Sequence, residues 1–491
     1  MNLSRKNLAV IPSGGVVKPE ERIFGLPEKV LQFGTGVLLR GLPDYFIDKA
    51  NRQGVFNGRV VVVKSTDAGD SSAFDSQDGL YTLCVRGIEG GKTIAENIIN
   101  SSISRVLSAK SQWKDILQCA HNPVLQVIIS NTTEVGIRLV EEDIRQEPPA
   151  SFPGKLLAFL YERYKFCGGS KEGGMVIVPT ELIVDNGKKL AAIVRELAAF
   201  NKLEGAFVEW LTGACRWCSS LVDRIVPGKP GGASLQQLQE ELGYTDELLS
   251  ISEVYRLWAI EGDEKVQSVL SFAAADAGVI IKPDIEIYRE LKLRMLNGTH
   301  TLSCGLAYLA GFVTVKNAMD DAGFAAFVSD LMLKEIAPAI PYAISAEQSR
   351  EFGLQVLDRF RNPHLQHQWI SITMQYSSKM KMRNIPVLLQ HYRRHDSPPV
   401  LFALGFAAYL LFMKGGDYKV NDDKAEYFAS LWKQSGPDEV ADRVLSDASL
   451  WDTDLSVLPG FAAAVKEDLH ALINKGALSK LAQFGKIKSV L

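Results

Sequence analysis

The chain has 491 residues, 46% of them hydrophobic and 23% charged, with a formal net charge of -3. That near-neutral balance, without a basic tail, leaves no electrostatic case for nucleic acid or an anionic membrane surface, and no uncharged run of about 18 apolar residues is present to span a bilayer. The length exceeds one ordinary core, so two or three domains are expected; the opening residues lack the apolar stretch of a secretory signal, which points to a soluble, cytoplasmic protein.

The first half alternates short apolar runs with helical stretches, the pattern of a parallel sheet with crossover helices. Four runs read as strands, 29–33, 59–64, 124–130 and 175–179, short and rich in Val, Ile or Leu as strands buried on both faces should be. Periodic helical segments such as 38–52, 94–108 and 155–166 lie between them. From about Tyr255 the strand signal fades, and helical periodicity covers 324–336, 345–360, 386–394, 400–414, 422–435 and 459–478. The expected fold is therefore an α/β N-terminal Rossmann-like domain with a mostly parallel sheet over 1–270, followed by a mainly α-helical domain over 271–491. Segments 227–232 and 268–281 read as connections. The cysteines are scattered apart from Cys215 and Cys218; with no second pair or His-x-His partner, buried reduced thiols are expected there, and no metal site.

The first strand runs through Gln32 and Phe33 into Gly34-Thr35-Gly36, then Val37, Leu38, Leu39 and Arg40. A Gly-x-Gly turn between strand and helix lets backbone N–H groups approach a pyrophosphate, although Leu39 stands where the usual fingerprint has a third glycine. An ordinary strand-to-helix turn would look similar. After the second strand, Asp67 would hold the ribose hydroxyls of NAD, whereas Lys64 would welcome the extra phosphate of NADP; the balance favours NAD, with NADP second. The polar loop Ser130-Asn131-Thr132-Thr133-Glu134-Val135-Gly136 follows the third run, with Thr132 and Glu134 placed to meet the cofactor or, alternatively, to start a helix.

A helix expected over 288–311 carries Lys292, Asn297 and His300 among leucines. At 100° per residue these three fall on one broad face with Leu293 and Leu296, so that face should be turned into protein. Burial without a partner pushes a lysine towards neutrality, where it serves as a general acid or base. Equally, Lys292 could reach solvent along its stem, Asn297 cap a neighbour and His300 sit as a core histidine. Because this helix falls where the two halves meet, an interdomain cleft is the expected site.

Five motifs in order, Phe33-Gly-x-Gly-x-x-x-Arg40, Gln77-Asp78-Gly79-Leu80-Tyr81, the Thr-x-Glu-x-Gly loop ending at Gly136, Val222-Asp223-Arg224-Ile225-x-Pro227 and Lys292-x4-Asn297-x2-His300, together resemble the long-chain mannitol dehydrogenase family over roughly 31–383. The resemblance implies metal-independent oxidation or reduction of polyols and sugar acids with NAD(P), the lysine acting as acid and base. Two departures are informative. The family's Cys-Asp-Asn is Thr180-Glu181-Leu182 here, followed by Asn186-Gly187, so the asparagine of the oxyanion hole is missing at Leu182; and Ser371 replaces a substrate-gripping arginine. Both resemble the branch that reduces tagaturonate to altronate in hexuronate catabolism, from which Thr180 and Met374-Gln375 depart in turn.

By that resemblance Lys292 exchanges the proton, Asn297 donates to the developing alkoxide and His300 orients the substrate. The carboxylate of a sugar acid needs a cation, and Lys379 and Arg383 are the candidates, with Lys381 read as facing solvent. Asp223 either pairs with Arg224 or binds a substrate hydroxyl. The expected partner is this small molecule, with oligomeric state open. Fructuronate, another polyol or a sugar phosphate are alternative substrates, and a nucleotide-binding sensor without turnover is the alternative of a different class.

Overall fold

The computed structural model describes residues 1–12, 14–65, 71–132 and 135–486. The chain divides into two compact units, one of Met1–Arg86 with Thr93–Ile285 and one of Gly87–Lys92 with Glu286–Leu491.

The first unit is built on a six-stranded parallel sheet: β1 (Glu28–Phe33), β2 (Arg59–Lys64), β3 (Ile103–Ser108), β4 (Val127–Ser130), β5 (Val176–Pro179) and β6 (Arg216–Trp217), in the order β3-β2-β1-β4-β5-β6. Side chains alternate between two buried faces. Val30, Val60, Val62, Val127, Ile129, Val176 and Val178 enter one core cluster, while Leu31, Phe33, Val61, Val63, Ile128 and Ile177 enter the other, against Phe152–Phe166 and Asn186–Phe200. Sequential growth to one side ends at β3 and resumes across β1 at β4, which makes the carboxyl ends of β1 and β4 the switch point where ligands of such sheets bind.

Three expectations are corrected in this unit. Segment 94–108, read as helical, forms the strand Lys92–Asn100 and β3; the Ile and Val residues that mimic a helical period are β-branched, and Gly90 and Gly91, both at positive φ, turn Tyr81–Glu89 back as a hairpin. Segment 38–52 is broken at Leu42 into α1 (Val37–Gly41) and α2 (Pro43–Arg52), the break falling just before Pro43. Strands also continue beyond Tyr255, because Leu257–Glu261 pairs antiparallel with Ser220–Asp223 and parallel with Val279–Lys282. The residues around 270 thus lie inside the first unit, where Phe272 stacks on Trp258, rather than at its edge. Cys215 and Cys218 are buried, and burial pushes both thiols up to about 12.

The second unit is helical. Val400–Met413 is apolar all round and buried along nearly its whole length, as a helix through the middle of a core must be. Its neighbour Thr299–Leu309 approaches closely through two glycines: a Cβ on Gly405 would lie 2.7 Å from the Leu302 carbonyl oxygen, and one on Gly305 would lie 2.9 Å from the Tyr376 hydroxyl. The half-buried Glu335 carboxylate accepts from the N–H groups of Leu401 and Phe402 at 3.0 and 2.8 Å, capping the central helix. No helix among the described residues is long and apolar enough to cross a membrane.

Candidate active site

The Gly34-Thr35-Gly36 turn leaves the carboxyl end of β1 at the switch point. Gly34 has φ +125°, and a Cβ there would lie 2.9 Å from both the Asn131 carbonyl oxygen and Leu39 Cδ1, so only glycine fits. Above Gly36 there is no atom within 4 Å of an added Cβ, which leaves an open approach to the backbone for a diphosphate. Leu39, in the third glycine's place, is buried and fills the space under the turn. Thr35, Val37 and Leu38 are half-buried around this opening, whereas Gln32 and Phe33 lie beneath it in the core. The observed turn therefore fits a dinucleotide.

Arg40 points elsewhere. Its buried guanidinium donates to the Leu248 carbonyl and lies 5.4 Å from the centre of the Tyr81 ring, while the Tyr81 hydroxyl donates to the Arg40 carbonyl at 2.7 Å. The Gln77–Tyr81 motif serves the same scaffold. The Gln77 amide donates to Asp246 at 2.8 Å, and a Cβ on Gly79 would lie 2.7 Å from the Ile103 carbonyl oxygen. Arg224 forms no ion pair with Asp223 among the described residues; it donates to the carbonyls of Glu253 and Gly41 at 2.9 and 2.6 Å and covers the Tyr45 ring, tying down the end of α1. Asp223 is buried at the end of its strand.

At the end of β4, Thr132 donates through its backbone N–H and hydroxyl to the buried Glu181 carboxylate at 2.8 and 3.0 Å, and Ser130 donates to the other oxygen at 3.1 Å. Glu181 thus holds the loop. Leu182 is 63% exposed and carries no donor, while the Asn186 amide is saturated by the carbonyls of Pro179, Glu181 and Ser220 and accepts from Gly187 and Ser220. Asn186 is therefore architectural. Asp67 and Glu134 lie outside the described residues.

In the second unit the lysine segment is not an ordinary α-helix. Glu286–Glu290 is α-helical, Leu291–Gly298 is π-helical and Thr299–Leu309 is α-helical again. With i→i+5 hydrogen bonding, Lys292 and Asn297 stand about one turn apart, closer around the axis than the roughly 140° that a 100° step gives across their broad face. Both are half-buried, so the full burial expected for this face is not reached. A second π-helical turn, Met380–Asn384, lies alongside. The wider turns are cross-braced: Arg294, ion-paired to Glu290 at 2.9 Å, donates to the Met382 and Arg383 carbonyls, and Asn384 donates to the Gly298 carbonyl at 3.0 Å.

Arg383 donates to Thr301 Oγ1 at 3.1 Å and reaches the Asn297 carbonyl at 3.5 Å, which brings a cation against the Lys292–His300 segment. Lys379, one turn before it, donates to the Ile372 carbonyl at 3.1 Å; burial and then Arg383 lower its pKa. The His300 ring stacks on Phe360 with centroids 4.1 Å apart and meets His367 and Trp369 edge-on. Burial, followed by His367, Arg359, Arg383 and Lys379, holds its imidazole well below the usual range. Every named neighbour acting on His300 is basic, so the site suits an anionic ligand. Lys381 instead pairs with exposed Asp452 at 2.7 Å.

Two sequence profiles match this chain, the mannitol dehydrogenase Rossmann domain over residues 28–272 and the mannitol dehydrogenase C-terminal domain over 284–473. The chain belongs to the mannitol dehydrogenase family. Among its relatives, the altronate oxidoreductase of Bacillus subtilis (strain 168) is 38% identical over 93% of this chain and 95% of the relative, and that of Escherichia coli O7:K1 is 36% identical over 92% and 95%. Solved structures sharing the mannitol dehydrogenase fold include Pseudomonas fluorescens mannitol 2-dehydrogenase (TM-score 0.66, 22% identity, 98% of this chain and 99% of that one) and D-sorbitol dehydrogenase (TM-score 0.75, 19% identity, 98% and 100%).

Arg359, His367, Glu181 and Arg294 escaped the sequence reading as contributors. Arg359 looks like one more arginine on the amphipathic helix Ala346–Phe360, and His367 sits in the nonperiodic segment before Trp369. Glu181 is visible only as a family position, and α-helical angles, which do not apply to a π turn, would set Arg294 on another face from Lys292.

Proposed function

We propose that this chain catalyses the reversible, NAD-dependent reduction of D-tagaturonate to D-altronate. The observation that carries the reading is the juxtaposition in the second unit of Lys292 and Asn297, one π turn apart, with Arg383 held against the same segment. A proton donor beside a fixed cation matches a substrate that carries both a ketone and a carboxylate. The altronate oxidoreductases named among the relatives support this substrate, and the glycine turn on β1 supports a dinucleotide.

Bound NADH supplies the hydride. Protonated Lys292 gives a proton to the oxygen of the reacting carbonyl and, in the oxidising direction, neutral Lys292 takes it back. Asn297 donates to that oxygen as negative charge develops; loss of one such donor costs ~2.7–4 kcal/mol of transition-state stabilisation. With Leu182 unable to donate, Asn297 carries a larger share of this task. Arg383 and Lys379 take the substrate carboxylate, Arg383 with the planar fork suited to two-point contact. Neutral His300, fixed by Phe360, accepts from or donates to a substrate hydroxyl without adding charge.

The test is NADH consumption measured in parallel with tagaturonate, fructuronate and fructose 6-phosphate. Preference for tagaturonate is expected. Equal use of fructuronate would overturn the substrate assignment, and NADH binding without turnover of any ketose would favour a nucleotide sensor.

A further inference from the structure

Beneath the nucleotide turn lies a pair of side chains that the reaction does not use. Gln32 projects from β1 and Asp44 from the first turn of α2, both with no solvent exposure. The Gln32 amide nitrogen lies 3.3 Å from Asp44 Oδ2 and 3.5 Å from the carbonyl oxygen of Gly34, the first residue of the turn. Two acceptors remain buried with no hydrogen bond, Gln32 Oε1 and Asp44 Oδ1.

An ionised carboxylate has only acceptors, so it cannot satisfy the Gln32 oxygen; a carboxylic acid has one O–H and can. Transfer of that hydrogen bond to Gln32 Oε1, with the amide N–H donating back, would close an acid–amide pair and satisfy both stranded oxygens at once. We propose that Asp44 is kept as a neutral carboxylic acid whose proton fastens Gln32, and through it the Gly34 turn, so that loss of this proton weakens dinucleotide binding. Asp44 is thus a positioning residue. Its ionisation would also place a negative charge under the backbone that receives a diphosphate. The inference rests on the reading of this turn as a dinucleotide site.

The surroundings support a neutral form. The charged and titratable groups facing Asp44 are Arg40 from α1, Asp48 one turn along α2 and Tyr81 from its strand. Arg40 donates to the Leu248 carbonyl through one nitrogen, and its buried Nε, though unpartnered, makes no hydrogen bond to Asp44; Asp48 is ion-paired to Arg52 at 2.6 Å, so neither replaces the missing donor. Burial dominates and raises the Asp44 pKa to about 7, against opposing effects of Gln32 and Arg40.

The experiment is a fluorescence titration with NADH, without sugar substrate, across about pH 6 to about pH 8, on the parent protein and on Asp44→Asn, which keeps an amide donor at every pH. The parent Kd is expected to rise about tenfold over that range and the Asp44→Asn Kd to stay flat. Thermal midpoints of the nucleotide-free proteins give a second readout. An acid whose native pKa is raised carries its stabilisation below the unfolded pKa and loses it as pH rises towards about 7, so the parent should lose more stability than Asp44→Asn between about pH 4 and about pH 7. NADH binding that is present but equally pH-dependent in both proteins, or flat in the parent, overturns this inference alone. Absence of NADH binding at every pH overturns the dinucleotide reading and the proposed role together. Should Asp44→Asn not fold, a flat Kd in the parent still refutes the proposal.

Discussion

The Arg294 guanidinium donates to the Arg383 carbonyl at 3.0 Å, so a side chain from one π turn fixes the backbone of the other. That link also returns to Glu290, whose carboxylate receives two of the arginine's N–H groups at 2.9 and 3.2 Å. Replacing Arg294 by Met leaves Glu290 without its buried partner and frees the Met380–Asn384 turn. The expected cost is about 3–5 kcal/mol of stability, read by urea unfolding of the purified variant. A loss below about 0.5 kcal/mol would show that the two turns hold together without it.

Lys292→Ala should lower turnover by about two to four orders of magnitude, the usual contribution of a positioned acid–base group, while NADH affinity stays within twofold of the parent. Single-turnover kinetics with tagaturonate make the comparison. Normal turnover in this variant would remove Lys292 from the chemistry.

Arg383→Met is expected to weaken use of sugar acids by ~1.5–3 kcal/mol in kcat/KM, the range for a charged hydrogen bond, and to alter a neutral ketose such as fructose much less. Steady-state assays on both substrates separate the two effects. Equal losses would assign Arg383 to bracing the Asn297–Thr301 turn instead of holding a carboxylate.

His300 stays neutral in the native protein, whereas an unfolded histidine takes up a proton near pH ~6.5. The unfolded state then binds more protons below that pH, so the stability tied to neutral His300 is present above it and declines as pH falls. Between about pH 7.5 and about pH 5.5 the thermal midpoint of His300→Gln should therefore hold up better than that of the parent, a difference to which the Asp44 proton, present in both, does not contribute. An unchanged slope would shift the effect to His367 and His391, whose pKa values are also lowered by burial.

Gly187→Ala is predicted to destabilise the first unit. An added Cβ would lie 2.4 Å from the Cys218 carbonyl carbon and 2.5 Å from the Ser219 nitrogen, backbone atoms that cannot rotate aside. A loss of about 1–3 kcal/mol or more is expected by chemical denaturation. Retained stability would mean that the Asn186–Ser220 hydrogen bonds tolerate displacement.

Those residues mark where sequence reading succeeds and where it stops. The buried strands β1, β2, β4 and β5 are legible because both faces demand apolar side chains, leaving runs such as Arg59–Lys64 unmistakable. β3 is not, because Ile103, Val106 and Leu107 follow Ile99 at spacings of four, seven and eight residues, which also satisfy a helix. In the site, Lys292, Asn297 and His300 announce themselves by polarity among leucines, and Gly34 by its place after a strand. Their geometry does not: a π turn has no signature in a 3.6-residue period, and the approach of Arg359 and His367 to His300 depends on chain folding across more than 50 residues.

A helix that winds five residues where four would ordinarily serve turns chain length into a functional variable. Lys292 and Asn297 stand about one turn apart only while the count between them and the π winding agree. A residue inserted between the two would rotate one side chain by about a quarter turn relative to the other, with every chemical group retained. Insertions here are therefore expected to act as changes of register, a class of variation that comparison of residue identities alone does not detect.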